Sequence, residues 1–355
     1  MDWLDLGLTF VKTLAILLTV VNTVPIMSWV ERRGAALIQD RPGPNRVGPL
    51  GLIQPIADFV KFIWKEDPTP ANVSGVLYTI APFLSLLPAC LVLAALPVGD
   101  HLVVMGREVR MQIADLDVGL LYVLAISSLG IYGILFGGWA SNNKFSLLGG
   151  LRSASQMISY EIPLAIAATG MVLFYGTLNL REIVLWQEGT LLGVLPRWGV
   201  VLQPFGFLLF LIAAFAETNR LPFDLPETEA ELVAGYHTEY GSMKFATFMM
   251  AEYMNLTTIS GMMVTLYFGG WHIPWIGDSQ LLAWFGGSRN ILGLFQFVVF
   301  FTKVTAFLFL FVWVRWTVPR FRFDQLMRLA WGRLIPLTLL NLVVSAVVLY
   351  LVEGR

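Results

Sequence analysis

The segment "VGLLYVLAISSLGIYGILFGGWASNN" covers residues 118–143 and contains no Asp, Glu, Lys or Arg. A helix that crosses a bilayer needs roughly 20 mostly apolar residues, so this segment is long enough for one crossing. An eighth apolar stretch, 290–314, is interrupted only by Lys303. The other six uncharged stretches are 13–30, 76–99, 162–180, 198–216, 253–277 and 334–352. The sequence therefore predicts an all-α polytopic membrane protein with eight transmembrane helices.

The composition supports this fold class. The 355 residues are 57% hydrophobic and 13% charged, a balance typical of chains that cross a membrane several times. A net charge of −1 provides no basic field for nucleic acid, so we expect no nucleic-acid partner. Within one membrane domain, 1–355, we place the helices at about 8–30, 76–98, 118–140, 157–178, 199–217, 245–268, 291–314 and 334–352.

Lys and Arg residues are unevenly distributed between the two sets of loops. Fifteen of them follow the odd-numbered predicted helices, and six lie on the opposite side. Cytoplasmic loops of membrane proteins carry the excess of positive residues. The bias therefore predicts that the odd-numbered loops face the cytoplasm and that both termini face the other side.

The segment "GLIQPIADFVKFIWKE", residues 51–66, is amphipathic and too short to span a membrane. Its polar residues recur at intervals of four, three and four, which places them on one stripe of an α-helix. They are Gln54, Asp58, Lys61 and Lys65. We expect an interfacial helix that lies along the cytoplasmic surface of the bilayer.

Residues that could hold a redox centre are scarce. Cys90 is the only cysteine, whereas an iron–sulfur cluster normally needs four thiolates. The three histidines fall in or beside predicted loops, so no pair is placed on helices to hold a haem. We therefore predict no metal site, no catalytic residue and no cofactor bound by this chain alone.

Three acidic residues lie at or inside the ends of predicted spans. Glu217 ends span five, Glu161 enters span four, and Glu252 lies within span six. Intramembrane carboxylates are costly to insert and often mark ion or proton routes. A structural pair with a nearby arginine, or snorkelling at a helix end, is the alternative. The orientation places all three in the cytoplasmic half. Three acids that converge at one level favour a proton relay over a structural role.

The segment "ETNRLPFDLPETEAELVAGYHTEYGSMK", residues 217–244, forms an acidic cytoplasmic loop. Asp224 lies near the expected cap of a short helix that a proline opens. Glu227 and Glu231 would then share one face of this helix, while Glu229 points elsewhere. A solvated loop and a hard-cation site are both possible from composition. Five apolar residues instead predict that the loop folds back against the membrane body: Leu221, Phe223, Leu225, Leu232 and Val233.

The segment "ERRGAALIQDRPGPNRVGP", residues 31–49, carries positive charge among glycines and prolines that favour tight turns. Its arginines could set the topology alone, or could line the mouth of a cavity that holds a polar headgroup. They are Arg32, Arg33, Arg41 and Arg46. Lys303, in the middle of a span, is expected to face a helix partner or an acid.

Four segments together resemble a family of respiratory complex I membrane subunits, called NuoH in bacteria and NADH dehydrogenase subunit 1 in mitochondria. They are "ERRGAALIQDRPGPNRVGP", "GLIQPIADFVKFIWKE", "RSASQMISYE" and "ETNRLPFDLPETEAELVAGYHTEY", spread over 31–240. The length and the eight spans fit the family end to end. Two positions depart from its pattern, because Thr228 and Phe59 stand where a small residue is usual.

The resemblance implies a subunit of a proton-pumping NADH:quinone oxidoreductase, at the junction of the peripheral and membrane arms. The family forms much of the tunnel that quinone enters from the bilayer, and the helix 51–66 would flank its mouth. With ubiquinone or menaquinone as substrate, the implied quinone-binding residues are Arg41, Arg46, Asp58, Phe223 and Arg220. The implied proton pathway is an acidic funnel made of Glu161, Glu217, Asp224, Glu227, Glu229, Glu231 and Glu252.

The resemblance also implies the partners and the location. The partners would be the hydrophilic quinone-site and iron–sulfur subunits, the antiporter-like membrane subunits and the lipid bilayer. The location would be the inner membrane of a bacterium, with both termini on the periplasmic side. Quinone reduction would change the charge in the cavity, and carboxylates with coupled pKa values would answer by exchanging protons.

Two other functions remain open from the sequence. A homologous membrane subunit of a hydrogenase-type complex shares this ancestry, although the retained helix 51–66 and the complete acidic loop favour the quinone-linked form. A stand-alone ion-coupled transporter would use the acids as its ion site. Such transporters usually show paired halves with broken helices at the midplane, and no such halves are evident here.

Overall fold

A computed structural model describes residues 3–191, 193–226 and 229–353. Long helices dominate these ranges: α1 (Trp3–Ile38), α3 (Gly75–Val92), α4 (Gly119–Ala140), α5 (Lys144–Tyr175), α8 (Pro204–Glu217), α10 (Ser242–Tyr267), α12 (Arg289–Thr317) and α14 (Ile335–Glu353). The shorter helices are α2 (Gln54–Trp64), α6 (Leu180–Trp186), α7 (Gly199–Leu202), α9 (Glu229–Leu232), α11 (Asp278–Trp284) and α13 (Phe323–Leu329). A π-helical turn, Ala330–Leu334, joins α13 to α14.

Two antiparallel hairpins are the only sheets in the part of the chain that the structure describes. In the first, β1 (His101–Val104) pairs with β2 (Arg107–Arg110), with His101 opposite Arg110. In the second, β3 (Thr190–Leu191) pairs with β4 (Leu195–Pro196). Both lie in connections between helices, so the predicted all-α class is confirmed.

Six helical segments within these ranges are long and apolar enough to cross a membrane, judged by length and composition. They are Asp5–Ile38, Gly75–Ala95, Gly119–Ala140, Lys144–Tyr175, Arg289–Thr317 and Phe323–Val352. The helix α8 is shorter, and α10 is long but carries Lys244 and Glu252. The chain is thus a polytopic membrane protein, and the number of eight crossings stays a prediction.

Several helix boundaries differ from the predicted spans: α1 ends at Ile38 instead of 30, and α3 ends at Val92 instead of 98. The helix α5 begins at Lys144, thirteen residues before the predicted 157, with the Asn143 side chain accepting from the Phe145 N–H at its start. The predicted fifth span is broken at Gln203, which separates α7 from α8. Pro204 explains the break, since proline lacks the N–H that would continue the helix of α7.

Small residues let the central helices approach closely. A Cβ on Gly133 of α4 would lie 2.3 Å from the Ser85 Oγ of α3, and one on Gly138 would lie 2.5 Å from the Ser146 carbonyl oxygen of α5. Helices in lipid gain their packing from such backbone approach, because lipid tails are as apolar as leucine. The result is a bundle in which α5 contacts α4, α8 and α14, while α10 contacts α3, α1 and α12.

The predicted amphipathic helix is present as α2, shorter at both ends than 51–66. It contacts α1 and α10, and large apolar side chains on it stay exposed. These are Ile56, Phe59, Val60, Ile63 and Trp64. An exposed apolar face of this kind supports the expectation that α2 rests on lipid.

The acidic loop folds back onto the bundle. Gln156 of α5 is buried, and its Nε2 donates to the carbonyl oxygens of Ala216 and Phe223 at 2.8 and 2.7 Å. Phe223 and Leu225 are buried, and so is Leu232. The predicted return of the loop is confirmed for these three, whereas Leu221 is half-buried and Val233 is 57% exposed.

Candidate functional site

Arg220 lies at the centre of a buried charge cluster. Its Nη1 donates to Glu31 Oε1 of α1 at 2.7 Å, and its Nε lies 2.8 Å from Glu252 Oε1 of α10. The Arg220 side chain is only 4% exposed, and the two glutamates are 11% and 13% exposed. One guanidinium therefore bridges carboxylates on α1 and α10 in a region that is largely closed to water.

Two further groups complete the shell around Glu31. Arg315 Nη1 at the end of α12 lies 3.0 Å from Glu31 Oε1, and the Tyr253 hydroxyl donates to Glu31 Oε2 at 2.7 Å. The Arg220 guanidinium also stacks 4.6 Å from the centre of the Tyr253 ring. Glu31 thus accepts from three donors, as a buried carboxylate requires.

Asp224 extends this cluster into the acidic loop. It is buried, and its Oδ2 accepts from Arg320 Nη2 at 3.2 Å. Burial and the nearby Glu252 carboxylate raise the pKa of Asp224 to about 6, against lowering by Arg320, Arg315 and Arg220. A carboxyl that changes charge near neutral pH suits a group that exchanges protons.

Replacing Asp224 should change how stability depends on pH. Because its folded pKa of about 6 lies above the ordinary 3.8, the folded state holds this proton more tightly, and the resulting stabilisation is lost as pH rises. The loss should reach about 1 kcal/mol between pH 5 and 7. We expect the thermal inactivation midpoint of the assembled wild-type complex to fall over this range relative to that of Asp224→Asn. Equal slopes would contradict the raised pKa, and Asp324→Asn, at an exposed carboxylate, is the matched control.

Two small cavities meet at the end of α8. One of about 40 Å³ is lined by Glu161 and Glu217, and one of about 20 Å³ by Glu217 and Glu252. Thr218 and Asn255 line both cavities. A cavity of roughly 10–15 Å³ can hold one water molecule, so each of these two cavities has room for at least one.

Glu217 therefore stands in the wall between Glu161 and Glu252. Its Oε2 is buried and has no hydrogen-bond partner among the residues that the structure describes. Both cavities have room for a water molecule, which is a hydrogen-bond partner that such an oxygen can use. The alternative of a structural pair with arginine applies to Glu252, which pairs with Arg220.

The predicted quinone-binding residues fall into two groups. Arg41 and Arg46 are exposed on the loop between α1 and α2, and Asp58 of α2 pairs with Arg32 at 2.5 Å. Arg220 and Phe223 are instead buried in the bundle, with the Phe223 ring 5.5 Å from that of Tyr160. Helix α1 connects the two groups: its Arg32 pairs with Asp58, and the preceding residue, Glu31, pairs with Arg220.

Of the other predicted acids of the loop, the structure describes the side chain of Glu231 alone. Glu231 is 48% exposed and pairs with Arg152 of α5 at 2.6 Å. Glu227 lies outside the described residues, as does the side chain of Glu229. The geometry thus brings together Glu161, Glu217, Asp224 and Glu252, and leaves Glu231 on the surface.

Sequence reasoning missed four members of the cluster: Glu31, Tyr253, Arg315 and Arg320. A signal was present, because Glu31 ends the uncharged stretch 13–30 just as Glu217 ends 198–216. Lys303 faces a helix partner, the first of its two expected partners. Its Nζ donates to the carbonyl oxygens of Phe268, Gly270 and His272 just beyond the end of α10.

Comparison with known proteins identifies the family. The family model described as NADH dehydrogenase matches residues 11–346. The chain is 44% identical over 347 residues to an H subunit of the NADH-quinone oxidoreductase of Cytophaga hutchinsonii, covering 96% of this chain and 98% of that protein. It is 47% identical over 348 residues to the H subunit of Salinibacter ruber, covering 98% and 96%. It is 48% identical over 320 residues to that of Protochlamydia amoebophila, covering 90% and 91%.

These matches extend over nearly the whole chain and include every helix that contributes to the buried cluster. The resemblance expected from the four sequence segments is confirmed. The chain belongs to the NADH dehydrogenase family.

Proposed function

We propose that this chain is a membrane subunit of a proton-pumping NADH:quinone oxidoreductase. In this proposal the subunit forms part of the wall of the quinone cavity and couples changes of charge in that cavity to proton movement in the membrane. One observation carries the proposal: Glu217 separates two water-sized cavities, with Glu161 lining one and Glu252 the other. The Arg220 cluster adjoins this path, because Glu252 belongs to both. The names of the relatives favour this function over that of a hydrogenase-type subunit or a transporter.

The coupling begins where quinone is reduced. Reduction of quinone with proton uptake changes the charge beside the acidic loop. Asp224 then binds or releases a proton, because its pKa lies near neutral pH. Arg220, held between Glu31 and Glu252, transmits the change as an electric field. Water in the two cavities then lets protons move among Glu161, Glu217 and Glu252. Replacing Glu217 by Gln therefore tests this half of the proposal.

The quinone-facing half rests on the arrangement around α2. Its exposed apolar face reaches lipid, and the exposed Arg41 and Arg46 lie on the loop that leads to it. A quinone, either ubiquinone or menaquinone, has an apolar tail that suits the apolar face of α2 and a polar headgroup that suits the arginines. Its electrons would come from iron–sulfur clusters in hydrophilic partner subunits, and antiporter-like membrane subunits would receive the coupling signal. The location is the bacterial inner membrane, with both termini periplasmic.

A photoreactive quinone analogue should label this chain in the native complex. We expect the label in peptides from 31–66, because they contain Arg41, Arg46, Asp58 and the lipid-facing side of α2. Peptide mass spectrometry after illumination locates the label, and an excess of unlabelled quinone should remove it. Labelling confined to other subunits would contradict a quinone-facing role for this chain.

A further inference from the structure

A second group of ligating side chains lies at the other end of α10, away from Glu252. Glu188 follows α6, His272 follows α10, and Asp278 begins α11. Each can offer one ligand atom, and these atoms lie within 4.8 Å of one another. The three residues come from two separate loops, so a shared ligand would tie these loops together.

His272 is the observation that distinguishes this group from an ordinary acidic cluster. Its side chain is 2% exposed, and neither ring nitrogen makes a hydrogen bond with the described residues. A buried imidazole normally hydrogen-bonds through at least one nitrogen, so this one needs an explanation. Its backbone is fixed, because its carbonyl oxygen accepts from Lys303 Nζ at 2.5 Å.

Asp278 presents a second buried atom in the same place. Its Oδ2 accepts from Gln296 Nε2 at 3.0 Å, whereas its Oδ1 is buried without a hydrogen-bond partner among the described residues. That Oδ1 lies 3.4 Å from His272 Nδ1. Two ligands of a tetrahedral zinc ion with bonds of about 2.0–2.1 Å lie roughly 3.3 Å apart, so this spacing fits two ligands of one ion.

The outer contacts also resemble those of a metal site. Gln296 orients the Asp278 carboxylate, and Glu188 Oε1 accepts from the Asp278 backbone N–H at 3.1 Å. Ligating carboxylates are commonly held by such hydrogen bonds. One imidazole with two carboxylates suits a divalent transition-metal ion better than Ca²⁺ or Mg²⁺, which prefer oxygen alone.

We propose that Glu188, His272 and Asp278 bind a divalent transition-metal ion of the Zn²⁺ class. The bound ion joins the loop after α6 to the loop between α10 and α11, with water completing its coordination. Its role is structural, and it is independent of the cluster around Arg220. The prediction that this chain has no metal site would then be wrong at this position.

The test compares zinc binding by native complexes that differ only at these residues. Purified complexes are stripped with a chelator, dialysed against dilute Zn²⁺, and analysed for bound zinc by mass spectrometry. Zinc held by other subunits cancels in the difference. We expect Asp278→Asn and Glu188→Gln each to bind one Zn²⁺ fewer than wild type, with affinity at this site weakened at least about 10-fold.

Glu182→Gln is the matched control, because Glu182 lies on α6 and its carboxylate accepts from the Thr177 hydroxyl outside the cluster. This variant should bind as much zinc as wild type. His272→Gln should also lose one Zn²⁺, and where that complex fails to assemble on a native gel, the Glu188→Gln result decides. Wild-type zinc content in Glu188→Gln and Asp278→Asn would overturn the proposal.

Discussion

Arg220→Met should prevent the complex from accumulating or should lower its thermal stability sharply. The change removes the buried partner of Glu252, while Glu31 keeps Arg315. Removing one partner of a buried ion pair typically costs about 3–5 kcal/mol, mostly because the remaining charge is uncompensated. Native gels of solubilised membranes and the thermal inactivation midpoint of any assembled complex measure the effect.

Two further variants separate charge from packing. Arg220→Lys keeps the charge but cannot reach both carboxylates with a planar fork, so we expect an intermediate loss. Adding Glu252→Gln to Arg220→Met removes one uncompensated charge and should restore part of the assembly. If Arg220→Met assembles and inactivates like wild type, Arg220 does not stabilise the protein by compensating buried carboxylates.

The apolar pattern predicted the helical bundle because burial in lipid leaves little choice. Uncharged stretches such as 76–99 and 118–143 contain α3 and α4 almost completely. The start of α5 was missed because Glu161 ended the uncharged run 162–180, although Lys144, Arg152 and Glu161 all fit one helix that begins before this run. The break at Gln203 was missed because a proline between two apolar segments does not reveal whether one helix or two result.

The candidate site was only half predictable for a related reason. Glu161, Glu217 and Glu252 stood out because each interrupts or ends an apolar run, which is a local signal. Their partners are distant in sequence: Glu31 is 189 residues from Arg220 and 284 residues from Arg315. No local spacing encodes such pairings, which depend on how α1, α10 and α12 pack. Likewise, composition grouped Glu231 with Asp224, and only the fold separates a surface acid from a buried one.

Glu217→Gln should uncouple or stop the complex while leaving it assembled. The amide has the shape of the carboxyl group but cannot bind and release a proton. Glu217 is the carboxylate that lines both cavities, one shared with Glu161 and the other with Glu252, so the path loses its middle titratable group. Loss of a positioned proton-transfer group commonly costs about 10²–10⁴ in rate, and a water that bypasses it would reduce this loss. We expect proton pumping to fall at least about 10-fold.

The measurement records NADH:quinone reductase activity and proton pumping together in membranes, after a native gel confirms assembly. Electron transfer from NADH to an artificial acceptor that bypasses quinone should stay at the wild-type level, because no electron carrier is touched. Asp324→Asn supplies the control for removing a carboxylate, since Asp324 is exposed and pairs with Arg322 away from the cavities. Wild-type pumping in Glu217→Gln would show that protons do not pass this residue, since an amide in the wall between the two cavities cannot relay them.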